Sequence, residues 1–212
     1  MHDHIEPPRN ITLTALLVEM SLAIVALVIG WALGRMHLLG LDLNLDSVGH
    51  NVKAVAIGIA ATIPMFALLV LVRTTQLKAL REFNQVVDKM VNLLFGATSI
   101  WNLALISAAA GLGEELLFRG VLQLTISEWF DGSVGVAFGL MVASVLFGAC
   151  HWLSFTYAAF ATIIGAYFGL LLIFTDNLLV PIVAHALYDF VALIVLVKQS
   201  TSPELKTEDY RE

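Results

Sequence analysis

LLFGATSIWNLALISAAAGLGEELLFRGVLQLTIS, residues 93–127, is apolar along most of its length and carries its only charges at Glu114, Glu115 and Arg119. A charge near the centre of a bilayer costs at least about 2.5–3.5 kcal/mol, so ionisable residues in a span face a protein interior or a cavity and mark function. Three charges within six residues therefore mark a site, and the lipid-soluble sequence around them makes it an intramembrane one. As one helix these 35 residues would measure about 52 Å at 1.5 Å per residue, against roughly 30 Å of hydrocarbon. The segment is either one long tilted helix or two short spans meeting near Gly111 and Gly113. The single helix is favoured, because two spans would leave almost no residues for a connection.

The rest of the chain has the same character. Of 212 residues, 59% are hydrophobic and 13% charged, whereas soluble domains carry about 25% charged residues. The composition predicts one integral membrane domain over residues 1–212, an all-α polytopic helical bundle. The formal charge of −6 comes largely from acidic residues at the two ends, and no Lys/Arg cluster suggests a groove for nucleic acid. Cys150 is the single cysteine, which excludes an internal disulfide.

Residues 1–10 read as a polar leader in which Pro7 and Pro8 oppose helix and His2 and His4 are solvated. Residues 11–34 are the first span, too long for a signal-peptide core and without a cleavage site, so it is read as retained. It contains a lone acid, Glu19, assigned a structural or interfacial role. After a loop over 35–51 comes a second span, 52–72, with Pro64 as a kink. In residues 73–92 apolar Leu77, Leu80, Val87 and Val91 alternate with Lys78, Arg81, Glu82, Asp88 and Lys89, the pattern of an amphipathic helix lying on the membrane surface. Its four Lys/Arg place it on the cytoplasmic side.

Residues 128–133 contain Asp-Gly and form a turn. Spans follow over 134–152, 155–174 and 178–197, with a turn at Thr175, Asp176 and Asn177 and a polar tail from Lys198. The total is six spans, or seven if 93–127 splits. Six puts both termini in the cytoplasm, with most positive charge on the inner loop, as the charge bias favours. Trp31, Trp129 and Trp152 near span ends fit an interfacial aromatic belt.

The chemistry resides in a few positions. On an α-helix Glu115 and Arg119 are four apart with the acid N-terminal, the favoured orientation of a pair, so Glu115 is the charge-balanced structural carboxylate. Glu114 points about 100° away and is free to act as a general base. His151 lies near the end of the span over 134–152, one turn beyond Phe147, and His185 and Asp189 share one face of the last span. Glu114 is 17 residues before Asp131, and His151 is 17 after Val134, so the two reach the same depth in an antiparallel hairpin. Counting alone leaves His185 about 10 Å from the opposite end of its neighbouring span.

Glu114 to Arg119 matches EExxxR, Phe147 to His151 matches FxxxH, and His185 to Asp189 matches HxxxN/D. Together, in this order and each on a hydrophobic helix, they resemble the CPBP (ABI) family, which includes the type II CAAX prenyl endopeptidases, the Rce1-like intramembrane glutamate proteases. The resemblance covers roughly 95–195. It implies a membrane-embedded endopeptidase acting on a membrane-associated or lipid-modified peptide, prenylated CAAX substrates among the candidates, with no cofactor and no metal. Glu114 would activate water, His151 would hold or share that water, and His185 would stabilise the oxyanion. Asp189 stands where the prenyl proteases have Asn, and an ionised Asp cannot donate a hydrogen bond, so Asp189 is assigned to orienting His185. Prokaryotic members of the family are also associated with scaffolding and with self-immunity to peptide toxins, which would make the chain a non-catalytic membrane protein. The bilayer and a membrane peptide are the partners expected, and the sequence sets no oligomeric state.

Other chemistries fit less well. Two histidines and a carboxylate could hold zinc, but there is no HExxH and the ligands would come from three helices. Cys150 and His151 are adjacent and diverge by about 100° on a helix. Ser144 is about 10 Å along the helix from His151. A transporter is disfavoured, because the polar groups cluster instead of lining a path.

Overall fold

In the computed structural model, residues 10–34 and 48–200 are described. The leader with His2 and His4, residues 35–47 of the first loop and the tail from 201 lie outside them, and so do the expectations for both termini. Among the described residues all regular structure is helical. The helices are α1 (Ile11–Ala32), α2 (Val48–Thr74), α3 (Lys78–Phe95), α4 (Ile100–Glu115), a π-helical segment (Leu116–Gln123), α5 (Leu124–Ser127), α6 (Gly132–Cys150), α7 (Phe155–Thr175) and α8 (Leu179–Ser200). Five of them are individually long and apolar enough to cross a membrane, and the α3/α4–α5 pair supplies the material for a sixth span. The chain is a multi-pass helical membrane protein.

The long segment over 93–127 breaks at its beginning and not at Gly111 and Gly113. Residues 93–95 belong to α3, and the chain then turns by 113° before α4. Ser99 caps the new helix, accepting a hydrogen bond from the Asn102 amide at 3.3 Å. From Ile100 to Ser127 the helix is continuous, about 42 Å long. Its middle is not plain α-helix as the sequence suggests: from Leu116 it widens into π geometry, a distortion found mostly at functional sites. The second span is longer than expected and runs through Pro64.

The amphipathic segment is α3. Val87 and Val91 are buried and pack with Leu196 of α8, while Lys78, Arg81, Glu82 and Lys89 are exposed. Leu77 is a correction: it precedes the helix as its N-cap residue and is exposed, so it is not part of the packed face. Arg73 at the end of α2 ties the helix down, contacting Asp88 at 2.7 and 3.2 Å and Gln199 of α8 at 2.6 Å.

Lipid tails are as apolar as leucine, so helices in a membrane associate through close packing at small residues. Glycines mark the crossings. A Cβ at Gly111 would lie 2.8 Å from Ala186 of α8, and one at Gly113 would collide with the backbone carbonyl of Glu19 in α1. α4 is thus pressed between α1 and α8 immediately before Glu114. Trp31, Trp129 and Trp152 are exposed, as a belt requires, and so is Trp101.

Candidate active site

The widened turn aims Arg119 at α7. Its Nη2 donates to the Gly165 carbonyl at 2.7 Å, and its guanidinium lies 4.4 Å from the centre of the Phe147 ring of α6. Gly165 permits this approach, since a Cβ there would stand 3.0 Å from Nη2. Arg119 Nε is 3.2 Å from Glu115 Oε2, and both side chains are buried, at 1% and 0% exposure. Phe147 packs edge-on against Phe118 as well. The expected Glu115–Arg119 pair is present, and it holds three helices together.

Glu115 has a second partner. His185 Nδ1 lies 2.8 Å from Glu115 Oε1, and His185 Nε2 lies 3.4 Å from Asp189 Oδ2. The ring stacks on Phe168, with centroids 4.7 Å apart. Both ring nitrogens face carboxylate oxygens, which accept only; with both carboxylates ionised the imidazolium donates to each. The 10 Å gap left by residue counting closes because α8 crosses α4 at Gly111, bringing His185 against the base of the EExxxR turn.

Glu114 points the other way, into a cavity of about 350 Å³ whose walls include Glu19, Glu114, His151, His185, Tyr157 and Asp189. Its Oε2 is 3.6 Å from His151 Nε2, so the hairpin does bring these two residues to one depth. His151 is the residue that ends α6, and its Nδ1 lies 2.8 Å from the Phe147 carbonyl. A carbonyl only accepts, so Nδ1 carries a hydrogen and the neutral ring presents Nε2 as an acceptor. Two acceptors, Nε2 and a carboxylate oxygen, then face one another at a distance too long for a good hydrogen bond.

The proposed catalytic residues Glu114, His151, His185 and Asp189 thus lie on one cavity, with Phe147 also on its wall and Glu115 and Arg119 packed behind it. Cys150 is exposed and the Ser144 hydroxyl donates to the Leu140 carbonyl at 2.6 Å. Among the described residues no group of three or more His, Cys, Asp or Glu is arranged to hold a metal ion. The structure adds residues that the motifs do not specify: Glu19 from α1, Tyr157 from α7 and Tyr188, at a variable position of the HxxxN/D stretch in α8, also border the cavity. Only Glu19 had a signal in the sequence, as a lone acid in an apolar span.

Residues 96–191 match the family described as Type II CAAX prenyl endopeptidase Rce1-like. The chain is also 35% identical over 104 residues to Uncharacterized protein YpbD of Bacillus subtilis (strain 168), covering 46% of this chain and 47% of that one. It therefore spans about half the length of the curated relative it matches. No solved structure matches. The matched segment begins just before α4, ends in α8 after Asp189, and so takes in the Glu114–His151 pair and the Glu115–His185–Asp189 chain of contacts. Over residues 96–191, and so over less than half of its length, this multi-pass membrane protein is similar to the Type II CAAX prenyl endopeptidase Rce1-like family.

Proposed function

We propose that the protein is an intramembrane endopeptidase that hydrolyses a peptide bond with a water activated by Glu114. The observation that carries this reading is the opposition of Glu114 Oε2 and His151 Nε2 across 3.6 Å at the wall of the cavity. Two facing acceptors call for a group that donates twice. A water about 2.8 Å from each atom would subtend about 80° between them, within reach of two bent hydrogen bonds. With both hydrogens so engaged, its lone pairs face the cavity. As the water oxygen attacks a scissile carbonyl, Glu114 takes one proton and His151 keeps hold of the other, the positioned general-base arrangement that contributes about 10²–10⁴-fold.

The oxyanion formed by that attack requires a donor. His185 Nε2–H serves, because its contact with Asp189 is 3.4 Å, longer than the roughly 2.7–2.9 Å typical of a strong charge-assisted bond, and a developing oxyanion can displace it. Asp189, at the wall of the same cavity, orients the ring before and after. The Glu115–Arg119 pair fixes the ring from behind through Nδ1.

The substrate is a membrane-associated or lipid-modified peptide. Most of the cavity wall toward α3 is apolar, with Phe83, Val87 and Leu193 among its residues, which suits a chain arriving with lipid-soluble side chains or an attached lipid. The protein resides in the cell membrane, with α3, its Lys/Arg residues and both termini on the cytoplasmic side. Because α3 borders the cavity, substrate enters from that face.

The test is cleavage by the purified protein in liposomes, read by mass spectrometry, on a mixed set of membrane and prenylated peptides. Wild type, E114Q and wild type with chelator run in parallel. Cleavage that is lost in E114Q and kept with chelator is the expected result. Equal cleavage by E114Q, or loss on chelation, overturns the glutamate mechanism, and a folded wild type inert toward the whole set moves the weight to a scaffold or immunity role.

A further inference from the structure

We propose that Glu19 of α1 is a second catalytic carboxyl, the acid that protonates the departing amine. The inference rests on the protease reading above. Glu19 lies outside residues 96–191 and belongs to no part of the three motifs, yet it borders the same cavity as Glu114, His151, His185 and Asp189. Both Glu19 and Glu114 have their Oε2 atoms buried without a hydrogen-bond partner. The crossing is fixed from the backbone: the Glu19 carbonyl occupies the space where a side chain at Gly113 would begin, so α1 lies against the residue that precedes Glu114.

The groups around Glu19 decide what it can do. Glu114 faces it from α4, and His185 and Asp189 from α8, all within electrostatic reach. Arg119 is taken up by Glu115, and His185, the positive group within that reach, is shared with Glu115 and Asp189 through its two ring nitrogens. Two carboxyls that interact within one low-dielectric cavity do not both ionise cheaply, and in the proposed arrangement one proton is held between them.

Placed in the reaction, the pair divides the proton transfers. Glu114 carboxylate takes a proton from water while the hydroxyl oxygen bonds to the scissile carbon. When the tetrahedral intermediate collapses, the carbon–nitrogen bond breaks and Glu19 gives its proton to the nitrogen, leaving a carboxylic acid and an amine. Glu114 is then protonated and Glu19 ionised. One proton passed from Glu114 to Glu19 through water restores the starting state, and the sum is peptide plus water.

The decisive measurement does not depend on substrate. Infrared difference spectra of wild type, E19Q and E114Q in liposomes, titrated with pH, read the C=O stretch of protonated glutamic acid. The expected result is that E19Q moves the titration midpoint of the Glu114 band by a unit or more and that E114Q moves the Glu19 band in return; unmoved midpoints overturn the proposal. With a quenched fluorogenic farnesylated peptide that wild type cleaves, E19Q lowers kcat by about 10²-fold with KM within about twofold, E19D restores part of it, and melting is unchanged. An inactive E114Q beside an E19Q of wild-type kcat and pH profile removes Glu19 from the mechanism and leaves the protease reading intact. An E114Q as active as wild type removes that reading itself.

Discussion

His185 Nδ1 stands 2.8 Å from Glu115 Oε1, joining α8 to α4 across 70 residues of chain. The contact gives the two adjacent glutamates different surroundings. Side chains of neighbouring residues on a helix diverge by about 100°, so Glu115 turns into the packed interior to bind Arg119 and His185 while Glu114 turns into the cavity. One carboxylate builds the site and the next is exposed to whatever enters it.

Arg119→Ala is expected to destabilise the protein by about 3–5 kcal/mol, the range for removing one partner of a buried pair. The loss leaves Glu115, fully buried, facing His185 alone, and also removes the hydrogen bond to Gly165 and the stacking on Phe147. Arg119→Lys should recover only part, since an ammonium cannot span a carboxylate, a carbonyl and a ring face at once. Thermal unfolding in detergent checks both, and wild-type melting of Arg119→Ala would show that Glu115 does not need the charge.

Gly113→Ala tests the α1–α4 crossing. The added methyl meets the Glu19 backbone carbonyl, which cannot rotate away, so α1 must shift, at a cost of about 1–3 kcal/mol for an overpacked site. Gly49→Ala is the contrasting change: nothing lies within 4 Å of its Cβ position, and it is expected to be neutral or to stabilise α2 by up to about 1 kcal/mol. Melting curves that fail to separate the two variants would mean that α1 does not pack tightly against α4 where Glu19 meets Gly113.

Blocking Cys150 is expected to leave cleavage unchanged. The thiol is exposed and Cys150 is not among the residues that line the cavity, so alkylation adds bulk outside it. Activity that disappears with alkylation, and persists in a Cys150→Ser variant under the same treatment, would reveal a hindered entrance; activity lost in both the alkylated protein and Cys150→Ser would reopen a cysteine mechanism.

Much of this was legible in the sequence because membranes make a strict code. Long apolar runs marked the spans to within a few residues, and charges inside them stood out as Glu114, Glu115 and Arg119. The equal distances of Glu114 and His151 from their turn placed the two side chains together, since antiparallel helices keep depth in step with residue number. His185 was out of reach of such counting, because its position depends on the angle at which α8 crosses α4, and that angle is set by Gly111 meeting Ala186. The π-helical turn and the beginning of α4 at Ile100 also escaped. The first shows only in how Arg119 meets Gly165 of a distant helix, and the second rests on a serine cap that sits within an unbroken apolar run. Glu19 was visible as an anomaly but had no address until α1 was packed against Gly113.

Asp189→Asn is the change that separates orientation from charge. An Asn carbonyl oxygen can accept from His185 Nε2–H in the place of Asp189 Oδ2, now 3.4 Å away, so the ring keeps its direction while the negative charge is lost. If Asp189 acts by orienting His185, Asp189→Asn retains activity within about tenfold, and Asp189→Ala, which offers no acceptor, loses about 10²-fold or more, the scale of a disturbed oxyanion donor. The comparison is made as kcat on one peptide that wild type cleaves, with melting temperatures alongside to show that all three proteins are folded. Asp189→Asn and Asp189→Ala falling together would mean that the charge of Asp189 matters beyond the direction of the ring. Both retaining full activity would mean that Glu115, through Nδ1, orients the ring unaided.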